Sequence, residues 1–363
     1  MNMTGHPDNP PTPACPPLRL LFWESTVRCN LACAHCRRIE TADEAARQDL
    51  GTAEFGRVLD SAASLGKPII VFSGGEPLMR GDWEILADHA RSLRLPTALA
   101  TNGTLVDEPL AKRIAAAGFR RVSISLDGAD APTHDAFRRV RGSFQRALAG
   151  IAHLRAAGMP MQVNATIAAH NVDQLDKLYA LVRKIDVEAL HLFLLVPVGC
   201  GMEIGESHQL AAESYEKVLQ WVLDRQAEGQ IELKATCAPH YYRLAAQRAK
   251  AAGAAGPAMA GHHGRGCMCG VSVAFVSHKG EVFPCGYLPV NCGSVREKTF
   301  AEIWRGSEVF AKLRDYETLL GRCGRCEFKG LCGGCRARAF ALTGNYLAAE
   351  PACTHRPPMK RRS

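Results

Sequence analysis

The chain has 363 residues, 47% apolar and 22% charged, with a net charge of +8. That is an ordinary balance for a soluble globular protein, long enough for one large domain and a smaller one. No apolar stretch reaches the length of a membrane span, and no lysine-rich runs with interleaved aromatics point to nucleic acid. The positive charge serves solubility and would also suit an acidic substrate.

Residues 1–17 are polar and proline-rich, without the apolar core of a signal peptide, and read as a disordered leader. From residue 18, short apolar runs alternate with helical patterns. The runs cover 18–24, 68–75, 96–103, 120–128, 161–168 and 189–198, each followed by a polar or glycine-rich loop. They read as parallel strands buried on both faces. Amphipathic segments at about 52–65, 82–94, 107–118, 143–158 and 172–185 lie between them, and another helix covers about 210–229. Six β-then-α units predict an α/β fold. Six is too few to close an eight-stranded barrel, so we expect an open, partial (β/α)6 TIM-like barrel over 18–230. A doubly wound sheet is the alternative. In both, ligands bind where the strands end.

Residues 231–266 differ, with a small, glycine-rich stretch near their end that contains His262 and His263. They read as a linker and substrate-contact segment. A small cysteine-rich domain is expected over 267–355. It opens with a hairpin turning at Lys279–Gly280, followed by a helix at about 299–315 and a cysteine cluster at 323–335. Residues 356–363 form a basic tail.

Fifteen cysteines are many for a chain with no signal peptide, which makes a secreted disulfide scaffold a poor fit and a cytoplasmic protein the expectation. They are uneven. Three fall within the eight residues Cys29-Asn-Leu-Ala-Cys33-Ala-His-Cys36, and ten lie between Cys237 and Cys353. Three thiolates in one loop can grip three corners of an iron–sulfur cube and leave the fourth iron open for chemistry. The alternative is zinc, with His35 as fourth ligand. Cys15 has no partner spacing and reads as a free thiol, and Cys200 and Cys292 follow glycine- or asparagine-rich turns, so we expect neither of those two to be essential.

Cys-x3-Cys-x2-Cys after the first strand resembles the signature of the radical S-adenosylmethionine (SAM) superfamily. The resemblance continues in Gly74-Gly75-Glu76-Pro77, whose glycine pair lets backbone approach a ligand closely. It includes Thr101-Asn102-Gly103, then Ser123, Ser125 and Asp127, which share one face of a strand. His134-Asp135-x2-Arg138 and Asn164 with Thr166 complete it. The resemblance implies a catalytic 4Fe-4S cluster on Cys29, Cys33 and Cys36. It also implies SAM bound by Gly74, Gly75, Glu76, Thr101, Asn102, Ser125, Asp127, Arg138 and Asn164, and a 5'-deoxyadenosyl radical as the product of its cleavage.

The later cysteines resemble the SPASM domain. Gly280-x4-Cys285 and Cys323-x2-Cys326-x5-Cys332-x2-Cys335, then Cys353, follow its pattern, although its last interval is usually Cys-x3-Cys. By resemblance, Cys323, Cys326, Cys332 and Cys353 would hold one auxiliary 4Fe-4S cluster. Cys285 and Cys335, with Cys267 or Cys269, would hold another that keeps an open iron, so one or two auxiliary clusters are expected. Read by spacing alone, the Cys-x2-Cys pairs also fit a zinc ribbon.

Three stretches narrow the resemblance to the tetrapyrrole branch: 194–201, Leu-Lys-Ala-Thr-Cys-Ala-Pro-His-Tyr-Tyr-Arg at 233–243, and 283–289. Within it they are most similar to the heme b synthases of the siroheme-dependent pathway. That implies an iron-porphyrin substrate and a low-potential electron donor such as a flavodoxin or ferredoxin. Lys234, His240, Tyr242 and Arg243 would contact the acidic macrocycle, through cations for propionates and aromatic faces for the ring. The competing readings are a didecarboxysiroheme deacetylase or heme d1 maturase of the same branch, and a SPASM-type peptide maturase. The maturase is disfavoured because only about seventeen residues precede the first strand.

Overall fold

The computed structural model describes residues 15–37, 44–253 and 266–358. Most of the expected leader and tail, and His262 and His263, lie outside these residues.

Seven parallel strands stand side by side in chain order: β1 (Leu20–Glu24), β2 (Ile69–Ser73), β3 (Thr97–Thr101), β4 (Arg121–Ser125), β5 (Met161–Ile167), β6 (Ala189–Leu194) and β7 (Glu232–Thr236). The order never reverses, so the sheet has no switch point of the doubly wound kind. The connecting helices are α1 (Thr52–Ala63), α2 (Trp83–Ser92), α3 (Glu108–Ala116), α4 (Ala131–Arg138), α5 (Ser143–Ala156) and α6 (Leu175–Lys184), then the short α7 (Gly205–His208) and α8 (Ala212–Ala227). Each long helix buries one stripe. In α1 it is Phe55, Val58, Leu59 and Ala62, at the helical spacing that keeps them on one face.

Alternation along the strands separates two environments. Leu99, Val122, Ile124, Val163, Ala165, Leu190 and Leu192 are fully buried beneath the helices. Their neighbours Ser125, Asn164, Thr166, His191 and Phe193 are only half-buried and share the opposite face. The face away from the helices is therefore polar and partly open, as the lumen of an incomplete barrel must be. At the first strand, Trp23 is fully buried, stacked on Phe55 and edge-on to Phe72.

The sheet is larger than the six expected strands. β7 and the helix α9 (His240–Ala251) form inside the segment read as a linker. On the other edge β8 (Val273–Val276) pairs parallel with β1, and β9 (Glu281–Phe283) returns antiparallel around Lys279–Gly280. β10 (Gly293–Ser294) ends that edge, so the cysteine-rich segment shares one ten-stranded sheet with the barrel. The helix expected at 299–315 is two, α10 (Phe300–Gly306) and α11 (Glu308–Arg314), broken at extended Ser307. The short α12 (Gly321–Arg325) and α13 (Arg336–Thr343) follow.

α13 carries the contact that seats this segment on the barrel. Arg338 is 1% exposed. Its Nη2 donates to the carbonyls of Leu194 (3.1 Å), Leu195 (3.2 Å) and Cys237 (3.1 Å). Its Nη1 reaches the Tyr215 hydroxyl (3.0 Å) and Glu350 Oε2 (3.4 Å). One fork thus satisfies the ends of β6 and β7, a helix and the C-terminal loop. Arg338→Met leaves the buried Glu350 carboxylate without its cation and takes a donor from three carbonyls, and should cost about 3–5 kcal/mol. The midpoint of anaerobic urea unfolding measures this, and a change no larger than a surface arginine gives would refute the assignment.

Candidate active site

The loop after β1 presents Cys29, Cys33 and Cys36 at the strand ends. The Leu31 N–H points at Cys29 Sγ (3.4 Å) and Arg138 Nη1 at Cys33 Sγ (3.5 Å). The loop is clamped at both ends by neighbouring backbone. On one side the N–H groups of Gly75 and Glu76 donate to the carbonyls of Thr26 (2.8 Å) and Arg28 (2.7 Å). A Cβ at Gly75 would stand 1.9 Å from the Arg28 carbonyl oxygen, so only glycine fits. On the other side the Cys200 N–H donates to the Cys36 carbonyl at 2.8 Å. Gly199, at φ +57, would bring a Cβ within 2.2 Å of the Arg37 carbonyl oxygen. The Gly74–Gly75 pair therefore serves close approach to the cysteine loop itself. The β6 loop, which spacing gave no reason to single out, serves the same loop.

Glu76 is fully buried. Its carboxylate accepts from Thr101 Oγ1 (2.7 Å) and from the N–H groups of Asn102 (2.8 Å) and Leu78 (3.2 Å). Burial outweighs these donors and pushes its carboxyl up to about 7. Asn102 Nδ2 donates to Asn30 Oδ1 (2.8 Å), tying the β3 loop to the cysteine loop. Ser125 and Asn164 sit opposite each other across β4 and β5, on the half-open face.

Asp127 is buried and committed. Its Oδ2 meets Arg138 Nε at 2.6 Å, and its Oδ1 accepts from the Thr166 N–H at 2.7 Å. Burial opposes its ionisation, but Arg138 and the neighbouring histidines prevail and hold it below the usual carboxylate range. Arg138 in turn spans Asp127 and Cys33, so its cation faces a thiol of the cysteine loop. The helix that delivers it, α4, starts at Asp130, whose side chain accepts from Thr133 N–H at 2.9 Å, with a proline in the first turn. That start signal stands in the sequence. His35 stacks on Phe137, with ring centroids 4.2 Å apart, and His170 covers the other face of Phe137 at 4.0 Å. Burial pushes His35 down to about 3. Phe137 and His170 were not among the expected site residues, because a ring stacked between two others leaves no spacing signal.

Two further thiol sets lie in the C-terminal segment. Cys323, Cys326, Cys332 and Cys353 line one open pocket. Backbone N–H groups point at three of the sulfurs: Glu350 at Cys323 (3.3 Å), Phe328 at Cys326 (3.4 Å) and Gly334 at Cys332 (3.4 Å). Such donors stabilise thiolates, as iron–sulfur ligation requires. In the second set Cys269 and Cys335 belong to one buried cluster, and Cys267, Cys285 and Cys237 pack against it. Both Cys267 and Cys269 take part, and Cys237 joins as a thiol the spacing did not identify. Around one zinc with 2.3 Å bonds, sulfurs would lie about 3.8 Å apart. Among the described residues the one trio of ligand atoms within 4.8 Å of one another is Cys326, Glu327 and His355. No three thiols of one set, nor Cys29, Cys33 and Cys36 with His35, lie that close together among the described residues.

The four expected substrate residues do not form one patch. His240 is fully buried, edge-on to Tyr215 at 5.1 Å, with neither ring nitrogen hydrogen-bonded. It and Arg243, which pairs with Glu216, line the four-thiol pocket. They thus face the thiols there. Lys234 is exposed on β7, opposite His191. Tyr242 is half-buried against Tyr241 on α9.

The family model of the Radical SAM superfamily matches residues 23–184, and that of an iron-sulfur cluster-binding domain, SPASM, matches residues 267–327. The AdoMet-dependent heme synthase of Methanosarcina barkeri is 47% identical over 94% of this chain and 98% of its own length. The pre-heme d1 synthase of Dinoroseobacter shibae is 35% identical over 96% of this chain and 89% of its own. Streptococcus suis SuiB bound to S-adenosylmethionine superposes with a TM-score of 0.72 at 17% identity, over 94% of this chain and 78% of SuiB, and shares the fold.

Two outcomes test this geometry. Gly75→Ala should prevent the cysteine loop from closing and remove about four irons per chain. Glu76, with its carboxyl lifted from 4.5 to about 7, loses stabilising power as pH rises through that interval. Its anionic form, present above about 7, is the one that attracts a cationic ligand. Binding of SAM, measured calorimetrically, should therefore tighten as pH rises through about 7, while Glu76→Gln binds about tenfold more weakly with no such dependence. A wild-type affinity that is flat with pH would refute this.

Proposed function

The chain belongs to the Radical SAM superfamily and is an enzyme of it, and we propose that it converts iron-coproporphyrin III to heme b. In this reading two propionate side chains each lose a hydrogen atom, carbon dioxide and one electron, and become vinyl groups. The likeness to a named heme synthase over nearly the full length of both chains carries the proposal. The three thiol sets, one in a loop at the barrel mouth and two behind it, support it.

When bound, the N-terminal cluster and SAM supply a 5'-deoxyadenosyl radical that takes a hydrogen from a propionate β-carbon, and an auxiliary cluster supplies an acceptor for the departing electron. The chain's own residues bind and orient. Cys29, Cys33 and Cys36 hold the cluster, and Arg138 beside Cys33 offsets its negative charge. Gly74 and Gly75 set the loop by backbone contact, and Thr101 and Asn102 hold Glu76. Glu76, Ser125 and Asn164 face SAM. Asp127 acts through Arg138, keeping the guanidinium aimed at Cys33. His35, His134 and His170, all pushed below their ordinary values chiefly by burial, stay neutral at pH 7 and add no charge around the radical. Lys234 and Tyr242 remain our substrate contacts, whereas His240 and Arg243 are assigned to the cluster pocket. A flavodoxin or ferredoxin would deliver the electron. No helix of the described residues is long and apolar enough to cross a membrane.

The runner-up is a different tetrapyrrole reaction of the same branch, favoured by the 35% identity to a pre-heme d1 synthase. One assay separates them. Reconstituted enzyme, SAM and reductant are incubated anaerobically with iron-coproporphyrin III, and mass spectrometry should show the loss of two carboxyl groups. No change with that porphyrin, but change with didecarboxysiroheme, moves the assignment to the runner-up. Replacing Cys29, Cys33 and Cys36 with alanine should abolish 5'-deoxyadenosine formation, and product formed without them would overturn the superfamily chemistry for this chain.

A further inference from the structure

The second auxiliary thiol set has five members, one more than the irons of a four-iron cluster. Cys267, Cys269, Cys285 and Cys335 come from the C-terminal segment, but Cys237 follows β7 of the barrel. It packs against the buried cluster that holds Cys269 and Cys335, as Cys267 and Cys285 do. Its backbone is left-handed at φ +56, a conformation a non-glycine residue adopts only at a cost. That conformation is enforced from behind, because the Cys237 carbonyl accepts from the Tyr215 hydroxyl (2.7 Å) and from Arg338 (3.1 Å), both buried. With its carbonyl held in this way, Cys237 is kept packed among the other four cysteines. Cys267 and Cys269 are separated by a single residue, so one of them suffices for a corner.

We propose that Cys237 is an iron ligand of this auxiliary cluster, which Cys285, Cys335 and one of Cys267 and Cys269 complete. This rests on the reading of the SPASM segment as a cluster domain. It also changes that reading. With four protein thiolates the cluster has no open iron and does not ligate substrate. It is left with electron transfer, from a position adjoining the active site.

The test is Mössbauer and EPR spectroscopy of reconstituted, iron-57-loaded wild type and Cys237→Ser, Cys237→Ala, Cys267→Ala and Cys269→Ala, with circular dichroism as the check on folding. Serine is nearly isosteric and should keep the fold while placing oxygen on one iron, seen as a subsite of raised isomer shift. Cys237→Ala should lose about four irons or show an altered auxiliary EPR signal, and one of Cys267→Ala and Cys269→Ala should match wild type. Should alanine at 237 fail to fold, the serine spectrum decides alone. A loaded wild type whose Cys237 variants are spectroscopically unchanged overturns the proposal. Wild type that takes up only the N-terminal cluster's iron overturns the cluster reading on which it rests, and the two failures are told apart by iron content.

Discussion

A cation excluded from solvent holds the two halves of the molecule together. Arg338 leaves α13 and ends among the carbonyls that close β6 and β7, against the Tyr215 hydroxyl and Glu350. The ends of parallel strands leave carbonyls with no partner in the sheet. In a closed barrel other loops would cover them. Here a guanidinium does so, and by reaching them it brings α13, the adjoining Cys335 and the Glu350 loop onto the barrel. Glu350 Oε2 also accepts from the Cys335 N–H at 2.8 Å, so the same carboxylate fixes a thiol and neutralises the arginine. This docking, together with the pairing of β8 on β1, brings the second thiol set to the barrel.

The N-terminal cysteine loop follows a different rule, close backbone packing. Gly75 presses on its start and Gly199 on its end, each at a distance no side chain tolerates. A loop that must place three thiols on one cluster cannot be left to wander, and two neighbouring strand-end loops confine it from opposite sides. Electrostatics complete the arrangement. The Asp127–Arg138 ion pair is buried, and each partner has a further contact, Arg138 to Cys33 and Asp127 to the Thr166 N–H. A buried cation beside the thiol is what an anionic cluster needs.

Much of this was legible. The six runs from residue 18 are strands, and the amphipathic segments between them are helices, because a two-residue and a 3.6-residue period survive any context that buries one face. Cys29, Cys33 and Cys36 declared themselves by spacing, as did Cys323, Cys326 and Cys332. β7 was missed because Glu-Leu-Lys-Ala-Thr has one buried position and sits at the sheet edge. α4 was missed although Asp130 and Pro132 marked its start. His240 and Arg243 looked like substrate contacts because a histidine and an arginine beside two tyrosines suit a porphyrin, and sequence carries no information about which way a helix faces.

The sequence by itself determined the α/β alternation, the radical SAM resemblance and the thiols of the first loop, since all of these are local patterns in spacing. Tertiary structure alone decided that β8 joins β1, that Gly75 and Gly199 grip the same loop, and that Cys237 meets Cys335. Each of these is a contact between residues far apart in the chain. Its energy comes from burial, packing and hydrogen bonding across elements, which no local period encodes.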